Sequence, residues 1–459
     1  MLRLLAVLTA LQNPVAPAQP DSAHVVIVAT TDVHGHVLGW DYVKGQAAPG
    51  GLSRAATIVE TLRAQYPGQV VLVDAGDLLQ GTLLATYYGR EHPQRPHPIV
   101  DALNALQYDA ATPGNHDFDF GADLLLQASG DATYRYVSAN IVRGRGGDTL
   151  VFPAATVVTR NGVKIAITGL TTPGVMVWDR AQLSAPGIRV RSLAAAAPQA
   201  LSALAGAGAD FKVALVHSGL SEPSAYDTAG VGAENDAAVL ATLPDKPDLV
   251  VVGHTHRQVR DTVINGVHFV QPRNFALSLS VVHVWFRRAA GRWHLDHLRA
   301  DLIPLATVPE LPRFQRRATQ AHDLARAWGE TALGSAGAGF DARRARAQDS
   351  PLLDFINEVQ RRAAGADLSA AAAFDTGAGL PEGEVRLRDV FGIYPYENTL
   401  RAVRISGQQL REYLEQSARY YRTYAPGQPI VNDSVPGYNY DVVSGVQYNL
   451  DLTRPAGVE

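Results

Sequence analysis

Short apolar runs that break off into polar residues recur from His24 to about residue 305: HVVIVATT, QVVLVDA, VKIAITGL, FKVALVHS and DLVVVGH. Each is too short and too rich in β-branched residues for a helix, so each predicts a buried strand. Between them the period changes to 3.6. GLSRAATIVETLRAQY puts Leu52, Ala55, Ile58, Val59 and Leu62 on one face, and HPIVDALNAL does the same with Ile99, Leu103 and Leu106. SLAAAAPQALSALAGAGA predicts a further helix, with an interruption expected at Pro198. Near-continuous apolar strands separated by helices imply an α/β fold whose sheets are covered on both faces. From VHFVQP to WHLDHLRADLIPL the pattern alternates, as antiparallel strands closing the domain would.

The pattern changes twice more. Residues 306–346 are charged and helical, then rich in Gly and Ala, and read as a linker helix. Residues 347–459 read as a second α/β domain, with a helix from Pro351, a helix in SGQQLREYLEQSARYYRTY and strands near GVQYNLDL. The chain stops soon after that strand pattern, so the second domain is expected to be truncated. Two domains suit 459 residues. Residues 1–20 read as a signal peptide, with Arg3, the apolar LLAVLTAL and the cleavage-like Ala16-Pro17-Ala18. The expected location is therefore periplasmic or secreted. No later apolar run is long enough to span a bilayer.

Composition narrows the chemistry. The net charge of −4 and the lack of a long basic run argue against a nucleic-acid polymer as partner, while leaving room for a small anionic substrate. The chain has no cysteine, so any metal must sit on His, Asp, Glu or Asn.

Five fragments offer such donors, each at the end of a predicted apolar strand: Asp32-Val33-His34, Gly76-Asp77, Gly114-Asn115-His116-Asp117, His217 in ALVHSG, and Gly253-His254-Thr255-His256. Any one alone is an ordinary turn or a surface histidine. Together, at the carboxyl ends of strands in an α/β fold, they predict one shared metal site.

The series D-x-H, GD, GNHD, H and GHTH resembles the calcineurin-like metallophosphoesterases over residues 24–305. The resemblance implies a four-layer sandwich of two mixed sheets flanked by helices, and two divalent ions. It assigns Asp32, His34, Asp77 and His256 to one ion, and Asp77, Asn115, His217 and His254 to the other, with Asp77 bridging. It gives His116 the stabilisation of the transition state or the protonation of the leaving oxygen, and Asp117 is expected to orient its imidazole. Hydroxide at the metal pair would be the nucleophile. Two dications against two carboxylates leave about two positive charges to attract phosphate. Mixed nitrogen and oxygen donors suit Mn, Zn, Fe or Co. His36 matches no ligand position, and Asp74 reads as a structural group beneath Asp77.

The second half, with YPYENTL, resembles the C-terminal domain of the exported 5′-nucleotidase group, which supplies substrate specificity. Tyr396 falls where that family stacks an aromatic on the base, and Tyr440, with Tyr438, is a further candidate. TTDVHGHVLGWDY, TPGVMVWD, VGAENDAA and YNYDVVSGVQYNLDLTRP lean towards the bacterial 2′,3′-cyclic-nucleotide 2′-phosphodiesterase/3′-nucleotidases. FDTGAGLPEG stands where 5′-nucleotidases carry an Arg motif; Arg386, Arg388 and Arg401 are candidate phosphate or sugar contacts. The alternatives are a 5′-nucleotidase or nucleotide-sugar hydrolase and, in another class, a non-catalytic nucleotide-binding surface protein.

Overall fold

The computed structural model describes residues 21–144, 148–184, 187–394 and 399–457. The N-terminal segment read as a signal peptide, and Tyr396, lie outside the described residues.

Two six-stranded mixed sheets form the first half. The first runs in the order Arg292–Pro304, Ser278–Ala289, Ser22–Thr30, Val70–Asp74, Ala110–Ala111, Arg135–Tyr136. The second runs Val259–Ile264, Val267–Gln271, Leu249–Val252, Phe211–His217, Val163–Thr171, Ala155–Arg160. The central pairs are parallel in both: Ser22–Thr30 beside Val70–Asp74, and Phe211–His217 between Val163–Thr171 and Leu249–Val252. Their carboxyl ends therefore share one rim.

Alternation along the strands explains the layering. On the first sheet Val25, Ile27, Ala29, Val71 and Val73 face inward and meet Ile165, Ile167, Val213, Leu215, Leu249 and Val251 of the second. Phe211 and Phe286 touch edge to face across that seam, 5.8 Å apart. The opposite residues of the first sheet, Val26, Val28, Val70 and Leu72, pack under the helices Leu52–Gln65 and Pro98–Leu106. Those of the second, Ala166, Ala214, Val216, Val250 and Val252, pack under the helix Leu193–Gly206. The result is the helix–sheet–sheet–helix sandwich that the resemblance implied.

The helix Leu193–Gly206 runs straight through Pro198 instead of breaking there. Pro198 and Ala194, whose carbonyl loses its partner, are both exposed, so the missing hydrogen bond falls on the solvent side, where it costs little.

Beyond the sandwich, the helix Pro312–Gly329 lies on the first half: Phe314 and Ala325 join its core, and Tyr42 hydrogen-bonds His322 at 2.9 Å. The second unit has its own small core, built from Leu352, Leu353, Ile356, Ala371, Ala373, Leu380 and Ile393. Its helices are Pro351–Ala364, Leu387–Ile393 and Gly407–Ala418. The strand expected near GVQYNLDL lies just upstream instead, at Asp441–Ser444, paired with Ser369–Ala372. There Val442 packs against the small core and Val443 is buried, while the polar 447–450 stretch has no strand partner among the described residues.

Candidate functional site

Five strand ends deliver the seven expected donors to one place, and their turns are stitched to one another. Asp32 N–H donates to Gly76 O and His34 N–H to Asp77 O, at 2.8 and 2.9 Å. The D-x-H and GD turns are thus zipped together. His254 N–H donates to the Asp32 carboxylate at 3.1 Å, which brings the last strand end to the first. Two glycines make this closeness possible. A β-carbon on Gly114 would stand 2.2 Å from Asp77 Oδ1, and one on Gly253 would stand 2.2 Å from Thr31 Oγ1.

The backbone carries a second mark of the site. Asp32, His34, Asp77, His254 and His256 all have positive φ, between 49° and 74°. Side chains other than glycine rarely adopt that region, and such strain concentrates where function requires a special direction of the side chain.

Side-chain distances sort the donors into two groups. His34 Nε2 and His256 Nε2 are 3.1 Å apart, and His256 Nε2 is 3.4 Å from Asp32 Oδ1. Asn115 Oδ1 lies 3.1 Å from His217 Nε2 and 2.8 Å from His254 Nδ1. Asp77 Oδ2 reaches both groups, 3.6 Å from His34 Nε2 and 3.1 Å from His217 Nε2. Two imidazoles on one tetrahedral zinc ion have nitrogens about 3.3 Å apart, given Zn–N bonds of about 2.0–2.1 Å. The spacing observed suits a divalent-metal site, with Asp32, His34 and His256 in one triad of donors within mutual reach and Asp32, Asp77 and His217 in another.

The ring orientations fit the same purpose. His34 Nδ1 donates to Gln80 O at 3.0 Å and His217 Nδ1 to Ala75 O at 2.7 Å. A carbonyl can only accept, so Nδ1 carries a proton in both rings. His34 then offers a lone pair at Nε2, whereas for His217 burial is overcome by Asp77 and Asp32 and the imidazole rises to about 9, so its Nε2 must give up a proton to bind a cation. His254 is reversed: Nε2 donates to Glu234 Oε1 at 2.9 Å, leaving Nδ1 toward Asn115. Glu234 is thus a member of the site that motif reasoning passed over; VGAENDAA holds it, with no donor spacing to mark it.

Charges are managed by neighbours. Burial opposes the charge of Asp32, but the hydrogen bond with His256 and the nearby His217 outweigh it and take the carboxyl down to about 2. Burial holds His34 down to about 3, so its imidazole is neutral. For His116, burial is overcome by Asp119 and Asp77, and the imidazole rises to about 10.

The partner of His116 requires a correction. Asp117 was expected to orient its ring. Both Asp117 oxygens instead accept backbone amides, from Asp77 and Gly114 on one and from Leu78 and Leu79 on the other, at 2.8–3.1 Å. Asp117 fixes the loop that carries Asp77. The ring is held by Asp119, whose Oδ2 is 2.9 Å from His116 Nδ1. The reason is local: His116–Phe118 is a 3₁₀ turn, in which residues three apart eclipse one another. Asp74 lies beneath, accepting from Thr30 Oγ1 at 2.6 Å and Gly76 N–H at 2.7 Å.

In the second unit Tyr440 stacks on Tyr420, ring centroids 5.2 Å apart, and meets Tyr421 edge-on. Tyr438 is half exposed, and its hydroxyl is pushed up by burial and by the charge of Glu234. Arg386 and Arg388 both pair with Glu330.

Comparison with known proteins agrees with this geometry. The sequence pattern of the calcineurin-like phosphoesterases matches residues 25–258, and that of the 5′-nucleotidase C-terminal domain matches residues 327–459. The chain is 30% identical to the 2′,3′-cyclic-nucleotide 2′-phosphodiesterase/3′-nucleotidase of Haemophilus influenzae, over 94% of this chain and 73% of that protein. It is 28% identical to the trifunctional nucleotide phosphoesterase protein YfkN of Bacillus subtilis, covering 94% of this chain but only a third (33%) of that longer protein. Among solved structures, the calcineurin-like phosphoesterase YfkN of Bacillus subtilis superposes with a TM-score of 0.61 at 27% identity, over 67% of this chain and 99% of that one. The 5′-nucleotidase precursor of Thermus thermophilus superposes with a TM-score of 0.68 at 23% identity, over 95% and 84%; this likeness concerns the fold.

Proposed function

The chain belongs to the calcineurin-like phosphoesterases and carries a 5′-nucleotidase C-terminal domain, and from that footing we propose that it is an exported enzyme that opens 2′,3′-cyclic nucleotides and then dephosphorylates the product. The observation that carries the chemistry is the donor cluster around Asp77 Oδ2, with His116 tied to its edge by its backbone N–H donating to Asp77 Oδ1 at 2.8 Å. Asp32, His34, Asp77 and His256 would hold one divalent ion; Asp77, Asn115, His217 and His254 would hold the other. Such a pair supplies positive charge for the phosphoryl oxygens and acidifies water.

The residues of the chain do the rest. Asp119 keeps the His116 ring in place through Nδ1, and the proton is delivered from Nε2 to the departing ribose oxygen. In the first reaction water adds to phosphorus and the P–O2′ bond breaks, giving a 3′-nucleotide. In the second, another water adds and the P–O3′ bond breaks, giving nucleoside and phosphate. Tyr396 and Tyr440 are proposed to take the base, since every nucleobase offers a stacking face. Export is supported by the pattern of residues 1–20. No helix among the described residues is long and apolar enough to cross a membrane.

The choice of substrate rests on the relatives named for 2′,3′-cyclic nucleotides. Assaying 2′,3′-cAMP, 3′-AMP and 5′-AMP side by side tests it. Turnover of the first two should dominate; a dominant rate on 5′-AMP would assign the chain to 5′-nucleotidase activity instead.

A further inference from the structure

Trp178 stands against the rim where no assigned group explains it. Its indole is 39% exposed, which is unusual for so large an apolar ring. The ring centroid is 5.6 Å from that of His254, with the planes 32° apart. Tyr226 meets the indole edge-on, also at 5.6 Å, and Tyr226 is itself tied down by its hydroxyl donating to Gly232 O at 3.2 Å.

The indole is placed by the rim, not left loose on it. It closes the short helix Val175–Trp178, and a β-carbon on Gly174 would lie 2.3 Å from the ring, so the indole rests on bare backbone. Thr172, two residues before Gly174, donates its N–H to His217 O at 2.8 Å and its hydroxyl to Glu234 O at 2.9 Å. The loop bearing Trp178 is therefore anchored to the strand end of one expected ligand and to the residue orienting another. An apolar plane held this firmly beside a phosphate-binding centre is a wall for the part of the substrate next to the phosphorus.

We propose that Trp178 is a specificity-determining residue: the ribose of a 2′- or 3′-phosphorylated nucleoside packs on its indole. The chemistry of the esters supports this. In 2′,3′-cyclic and 3′-esters the bridging oxygen is bonded directly to a furanose carbon, so the sugar ring lies immediately beside the phosphate. In a 5′-ester an exocyclic methylene intervenes and the ring lies farther out. A wall beside His254 meets the first sugar and not the second. The proposal rests on the nucleotide reading above.

The test uses the full chain and the variants Trp178→Ala and Trp178→Phe, with 3′-AMP, 5′-AMP and glycerol 2-phosphate as substrates and metal content measured in parallel. Trp178→Ala should raise KM for 3′-AMP, and its loss of kcat/KM on 3′-AMP should exceed that on either other substrate by about tenfold. Trp178→Phe should recover most of that difference, and both variants should keep the wild-type metal content. Equal losses on all three substrates, an unchanged KM for 3′-AMP, or loss of metal in Trp178→Ala would overturn it and leave the ring a prop for His254. Wild-type activity keeps the two ideas apart: a chain that turns over no nucleotide defeats the premise, whereas one that turns over 3′-AMP with unaltered selectivity in the variants defeats only the role of Trp178.

Discussion

At the scale of the residue, His116 is the proposed proton donor, and its neighbours divide the supporting work in a way the sequence hides. HDFD offers two acids, and adjacency suggested the nearer. The 3₁₀ turn selects Asp119, while Asp117 binds four amides. His116→Ala should keep the metals and lower kcat by about two to four orders of magnitude. Asp119→Asn should lower kcat with little change in Tm, whereas Asp117→Ala, which strands four buried amides, should lower Tm first. The opposite pattern in kcat and Tm would restore the roles to their sequence order. Glu234 belongs to the same scale. A carboxylate behind a ligand histidine fixes its tautomer, so Glu234→Ala should weaken metal binding by about 10–100-fold, measured by titration of the metal-free protein. An unchanged affinity would make the 2.9 Å contact incidental.

At the scale of the element, the donors were legible because strands in parallel sheets end at one rim, so scattered fragments could be read as neighbours. What could not be read was the turn geometry. Positive φ at Asp32, His34, Asp77, His254 and His256 arises from cross-links between turns that are far apart in sequence. Pro198 misled for a related reason: the sequence shows the missing N–H but not that its acceptor faces water. The helix Pro98–Leu106 adds a pH response. His97 caps it through Nδ1, accepting from Ile99 N–H, and burial lowers the imidazole to about 4. Unfolded, it titrates near 6.5. The unfolded chain therefore binds the proton first, so this stability is complete above about pH 6.5 and is lost as pH falls towards 4, by at most about 3 kcal/mol. His97→Asn keeps a capping side chain and should flatten the fall in Tm across that window. A variant that falls as steeply as the wild type would place the acid sensitivity elsewhere.

At the scale of the molecule, apolar periodicity called for an α/β fold with sheets covered on both faces, while the four-layer arrangement was what the family resemblance implied. The second unit was harder. Its strands are short and its sheets two-stranded, so the alternation that marks a strand scarcely develops. The segment read as a linker is partly a docked element: Phe314 of the helix Pro312–Gly329 is 5% exposed within the first core. Phe314→Ala should cost about 3–5 kcal/mol of stability, seen as a lowered Tm of the catalytic half; an unaltered Tm would mean the helix only rests on that surface. Arg386 and Arg388, candidates for substrate contact, are instead occupied by Glu330 at the end of that helix. The two proposed cation sites meet at Asp77. Metal analysis of the purified protein beside Asp77→Asn and His254→Ala tests this most directly. Two divalent ions per chain in the wild type, about one in His254→Ala and neither retained in Asp77→Asn are the expected result, and a wild-type chain that binds a single ion, or an Asp77→Asn chain that keeps its full complement, would contradict it.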